Sequence, residues 1–104
     1  MIIGVIFMSV QSISDYRQKV IETSLPILRK HGAKKAALFG SLLREDFDFE
    51  NSDIDILIDV EKPFWDFLDI KFELEDALNK KIDLIPYKNL DGRIKAHVQE
   101  LVIL

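Results

Sequence analysis

The run SDIDILIDV, Ser52 to Val60, constrains the fold more than any other stretch of the chain. In a β-strand, successive side chains alternate between faces, so residues i and i+2 share one. Ile54, Ile56, Ile58 and Val60 therefore line one face, and Asp53, Asp55, Leu57 and Asp59 the other. A slip of one residue would bury the aspartates and expose the isoleucines. The run demands a sheet whose one face seals a core while its other face carries carboxylates.

Asp53 and Asp55 then stand side by side at the start of a rigid strand. At a rise of roughly 3.3 Å per residue, their separation is under ~7 Å. Carboxylates that close repel each other unless something cationic lies between them. Two magnesium ions roughly 3.5–4 Å apart suit that role. Asp59 shares the face but lies further along, and reads as surface. A second Asp-x-Asp pair, Asp46 and Asp48, flanks Phe47 among Glu45, Glu50 and Asn51. That stretch reads as a solvated loop with nothing to fix its geometry.

Two further features bear on the same site. KAALFG is a short apolar run, read as a strand ending at Gly40 and followed by a helical turn over residues 41–45. Glycine lets the backbone approach a phosphate closely. Turn N–H groups, the Ser41 hydroxyl and a helix N-terminus together make an anion site, and Arg44, on the same side of the turn, reaches the same phosphates. Taken alone, Gly-Ser is an ordinary turn. In KKIDLIPY, a third strand, Ile82 and Leu84 share a face and Asp83 takes the other. A lone aspartate in an apolar strand is costly to bury without a partner. An edge charge or a lysine salt bridge would explain it singly; with Asp53 and Asp55 it completes a three-carboxylate cluster.

The rest of the chain supplies helices. Ser12 or Ser14 caps one in which Tyr16, Val20, Ile21, Leu25 and Leu28 recur at helical spacing, ending near Gly32. Pro26 either kinks this helix or starts a second short one. Pro63 opens a helix over Phe64–Asn79, with Phe64, Phe67, Leu68, Leu74 and Leu78 on its apolar face. A last helix is expected over Leu90–Val102, with Ile94, Val98 and Leu101 inward. This order of elements indicates an α/β or α+β domain on a small sheet packed against helices.

At 104 residues the chain suits a single domain. A formal charge of −4 and no long basic stripe argue against direct nucleic-acid binding. The absence of cysteine excludes disulfides, thiolate zinc sites and cysteine nucleophiles, and leaves oxygen ligands for a hard cation. The apolar MIIGVIF start is far shorter than a membrane span and lacks signal-peptide flanks, so a cytoplasmic location is expected. Met8 is an alternative start, which would make residues 1–7 an extension; the rival reading is an added edge strand or an oligomer contact. His31 and His97 are each isolated and read as structural. Phe64 and Trp65 read as core or partner contact. Apolar residues at both ends of the chain leave self-association open.

Gly-Ser, a spacer, Asp-x-Asp on a strand and a third Asp on a later strand resemble the nucleotidyltransferase superfamily of the DNA polymerase beta type. The chain looks most like its minimal, single-domain branch, the MNT proteins, typically antitoxin partners of HEPN-domain toxins. The resemblance runs from about Ile13 to Leu104 and includes ALFGS, SDIDILI, KKIDLIP and RIKAHVQELVIL. The spacer Leu42–Ser52 is one residue longer than is usual in the family, and the extra residue falls in the polar loop. The resemblance implies transfer of AMP from ATP to a tyrosine hydroxyl of a partner HEPN toxin. It implies that Asp53, Asp55 and Asp83 bind two Mg²⁺ ions, that Asp83 serves as general base, and that Gly40, Ser41 and Arg44 hold the phosphates. The alternative is a non-catalytic antitoxin that neutralises its toxin by complex formation.

Overall fold

A computed structural model describes residues 12–43, 47–89 and 100–104; of Ser41, Phe64 and Glu100 it describes the backbone alone. The elements are α1 (Ile13–Lys30), β1 (Lys35–Phe39), β2 (Ile54–Asp59), α2 (Phe64–Leu78), β3 (Ile82–Pro86) and β4 (Glu100–Val102), with 3₁₀ turns at Gly40–Leu43 and Tyr87–Asn89.

Ser12 starts α1: its hydroxyl accepts the Asp15 N–H at 3.0 Å, satisfying one of the donors a helix start leaves over. Pro26 lies inside this one helix and does not begin another. The helix stops as the sequence suggests. Gly32 takes φ +77°, and the Gly32 and Ala33 N–H groups turn back onto the carbonyls of Arg29 and Leu28, a Schellman closure. Helix α2 starts after Pro63 and ends at Asn79, which holds the left-handed conformation.

The sheet order is β3-β2-β1-β4. Strand β1 is antiparallel to both β2 and β4, while β2 and β3 are parallel. A parallel pair needs a crossover, and α2 supplies it. Ile54, Ile56 and Ile58 are fully buried, as the alternation requires, and meet Val20 and Leu28 of α1, Ile70 and Leu74 of α2, and Leu38 and Ile82. Both helices thus cover one face of the sheet. Among the described residues, no helix is long and apolar enough to cross a membrane.

One expected element is corrected. The helix expected over Leu90–Val102 is not continuous to its end, because Glu100–Val102 is a strand in register with Phe39, Leu38 and Ala37. Backbone groups of Ile103 and Leu104 then bond to Ala36. The open edge of β1 offers hydrogen bonds that local helical periodicity does not reveal. Residues 90–99, with His97, and residues 1–11, with the alternative start, lie outside the described residues.

Candidate active site

On the face away from the helices, the strands align residues in rows. Ala37, Leu57 and Ile85 are partners in one row, and Phe39, Asp55 and Asp83 in the next. The first row is apolar: Ala37 and Leu57 are buried with Tyr87, and Ile85 and Phe39 pack against them. The second row places two carboxylates on neighbouring parallel strands, where strands run roughly 4.8 Å apart. Asp55 is half-buried, Asp83 exposed. Asp53, half-buried, immediately precedes β2 and shares the face of Asp55, two residues on. Asp59, exposed at the far end of β2 and paired with Lys35, stands away from this row.

Strand β1 leaves the row at Gly40. Its φ of +71° belongs to the left-handed region, which glycine enters without penalty. A Cβ built there would sit 2.3 Å from Asp55 Oδ2 and 3.1 Å from its Cγ. The Asp55 carboxylate is therefore seated against the bare α-carbon of Gly40. Sequence reasoning assigned this glycine to phosphate approach; the structure gives it a second task, making room for a carboxylate.

Two supports of the site carried no signal in the sequence. Arg17 of α1 donates from Nε and Nη2 to the Leu42 carbonyl at 3.1 and 3.0 Å, tying the Gly40–Leu43 turn to the helix. The loop before Asp53 is also fixed, contrary to the expectation of free surface charge. Asp48 Oδ1 accepts the N–H groups of Glu50 and Asn51, its Oδ2 accepts Asn51 Nδ2 at 2.8 Å, and its own N–H bonds Ser52 Oγ. The Asn51 side chain first, then those backbone donors, hold the Asp48 carboxyl below its ordinary pKa. Beneath the loop, the rings of Tyr16, buried Phe47 and Phe49 stack with centroids 5.2–5.7 Å apart. The polar loop is thus pinned at both ends of Asp48–Ser52, immediately upstream of Asp53. Arg44 and Asp46 lie outside the described residues.

His31 has a structural role, as expected. Its Nε2 lies 2.9 Å from Glu73 Oε1, and Lys30 bonds the other oxygen of the same carboxylate, joining the end of α1 to α2.

The donor chemistry fits a hard divalent cation: three carboxylates, two of them in register, with Gly40 seating one. Among the described residues, no three acidic or imidazole groups are gathered closely enough to enclose an ion as they stand.

Comparison with known proteins identifies the family. The family model described as polymerase beta, nucleotidyltransferase matches residues 22–104. A Methanocaldococcus jannaschii protein named "Putative protein adenylyltransferase MJ0435" is 37% identical over 89 residues, covering 84% of this chain and 90% of its own. A solved structure titled "Structure of putative minimal nucleotidyltransferase" superposes with a TM-score of 0.68 at 26% identity, over 88% of this chain and 97% of that one. The fold is also similar to that of a chain in the complex of a tri-AMPylated Shewanella oneidensis HEPN toxin with MNT antitoxin. There the TM-score is 0.58 at 19% identity, over 80% of this chain and 69% of that one. On the family match and the 37% relative, the chain belongs to the polymerase beta-type nucleotidyltransferases.

Proposed function

We propose that this single-domain chain is a protein adenylyltransferase that moves AMP from ATP to a tyrosine hydroxyl of a HEPN-domain partner in the cytoplasm, and so acts as its antitoxin. The observation that carries the reading is the row Asp55–Asp83, with the Asp55 carboxylate pressed against Gly40 at the mouth of the turn. The name borne by the 37% relative and the likeness to the chain from the AMPylated toxin complex support the choice of a protein acceptor.

In this reading the backbone of Gly40 and Ser41 holds the β- and γ-phosphates, assisted by Arg44, and orients the α-phosphorus toward the aspartates. The tyrosine oxygen attacks that phosphorus. A phosphorus–oxygen bond forms, the bond to pyrophosphate breaks, and the phenolic proton passes to Asp83, the most exposed of the three carboxylates. Asp53, Asp55 and Asp83 would hold Mg²⁺, which when bound neutralises charge on the leaving pyrophosphate and lowers the pKa of the attacking hydroxyl. The half-buried position of Asp55 keeps its carboxylate in one place for that task.

Asp53→Asn and Asp55→Asn test the reading. Each removes a charge from a repelling pair, so the fold should survive while AMP transfer to the partner disappears. Retained transfer in both variants would sink the assignment of these residues. A tight complex that leaves the partner unmodified would favour the non-catalytic antitoxin.

A further inference from the structure

A cavity of about 380 Å³ opens at the C-terminal ends of the parallel strands β2 and β3. Val60 follows β2, Pro86 ends β3, and Lys88 and Asn89 lie in the 3₁₀ turn after it. Phe67 of α2 and Leu84 wall the cavity on the helix side of the sheet. Its volume is that of a small-molecule site, about 300–1,000 Å³. Val60, Phe67, Ile85 and Pro86 are only half-buried, so the fold leaves an apolar slot that solvent reaches. The slot is separate from the aspartates. Val60 lies five residues beyond Asp55 on β2, roughly 16 Å along the strand, and packs on the opposite face.

Charge restricts what can fill the slot. The chain carries a formal −4, yet the charged residues lining this cavity among the described residues are two lysines. Lys62 and Lys88 are exposed, and neither enters an ion pair among the described residues. Glu61, the acidic neighbour of Lys62, is taken by Lys34 at 3.1 Å. Helix α2 adds to the positive field. It begins between Lys62 and Phe67, and Pro63 at its N-cap supplies no capping side chain. A helix start at the carboxyl ends of parallel strands is where open α/β sheets bind phosphate groups. The Asn89 amide offers a donor and an acceptor together, the pair that matches the edge of a purine such as adenine.

We propose that this cavity binds a nucleoside monophosphate, its base against Phe67, Leu84 and Pro86 and its phosphate between Lys62 and Lys88. A phosphate monoester is close to a dianion at neutral pH and matches two lysines. A fatty carboxylate would use one of them, and a neutral ring neither. The site is a second one, and it does not depend on the transfer reaction.

The test uses AMP as probe, in EDTA, against the full chain labelled with ¹⁵N and followed by amide NMR. The amides of Lys62, Phe67, Ile85 and Asn89 should move on titration, and should move equally in an Asp55→Asn background. Adenosine and inorganic phosphate, the two halves of the probe, should each bind more weakly than AMP. Lys62→Gln with Lys88→Gln should weaken AMP binding at least about tenfold while the melting temperature and the rate of AMP transfer stay at wild-type values. Equal AMP affinity in the wild type and the double variant would overturn the proposal. So would shifts confined to the amides around Gly40 and Asp55, which would place AMP at the aspartates alone. Inorganic phosphate as strong as AMP would reveal a surface anion patch that makes no use of the cavity. Octanoate binding more tightly than AMP would show that the slot takes an acyl chain, and either result would overturn the mononucleotide assignment.

Discussion

Gly32 and Gly40 make a matched pair for asking whether the seat of Asp55 matters. Both hold left-handed backbone, φ +77° and +71°. Alanine in that region costs roughly 1–2 kcal/mol. In a domain of this size each kcal/mol lowers Tm by about 4–8 °C, so either Gly→Ala variant should melt roughly 5–15 °C lower. The surroundings differ. At Gly32 an added Cβ meets only Lys62 Cε at 3.9 Å, an ordinary contact. At Gly40 it would lie 2.3 Å from Asp55 Oδ2. An unstrained carbon–oxygen contact is about 3.4 Å, so the carboxylate must retreat by about 1 Å. The side chain can swing away at little further cost in stability, but a displacement of that size costs about 100-fold in rate. Thermal unfolding by circular dichroism and initial rates of AMP transfer, taken well below both melting points, read the two effects. Both variants should lose similar stability, and Gly40→Ala alone should lose transfer. Equal rates in the two variants would refute the argument that Gly40 seats a working carboxylate.

Arg17→Met keeps the side-chain stem and removes the two donors to the Leu42 carbonyl; urea unfolding should show a loss of about 1–3 kcal/mol, with a higher KM for ATP as the turn loosens. Ser24 Oγ is buried in α1 without a hydrogen-bond partner among the described residues, so Ser24→Ala should stabilise the chain by roughly 0.5–1.5 kcal/mol, read by the same urea titration. The Lys30 ammonium first, and then His31, hold the Glu73 carboxyl below its ordinary 4.5. A depressed carboxyl contributes stability above its unfolded pKa and loses it as pH falls through the folded one. Stability measured across the acid limb should therefore fall less steeply in Glu73→Gln than in the wild type.

The strand around Ile54–Ile58 was legible because period-two alternation is a local property, and the buried isoleucines follow it. The ends of α1 were legible for the same reason, since Ser12 and Gly32 act within a few residues. Strand β4 was not. Its three residues are too few to carry a period, and its state is decided by the free edge of β1, more than sixty residues away in sequence. The three aspartates could be picked out by strand parity, but parity gives only a face. That Asp55 and Asp83 share a row depends on the parallel register of β2 with β3. Asp48 reads as surface charge and nothing in the sequence singles out Arg17, because their partners, the Glu50–Asn51 backbone and Leu42, become partners only through a loop conformation and a helix–turn contact.

The most direct test of the central claim is the intact mass of the HEPN partner after incubation with this chain, ATP and Mg²⁺. The account predicts added mass in whole AMP units, lost with Asp55→Asn and retained with Gly32→Ala. An unmodified partner in a stable complex with the wild-type chain would contradict it.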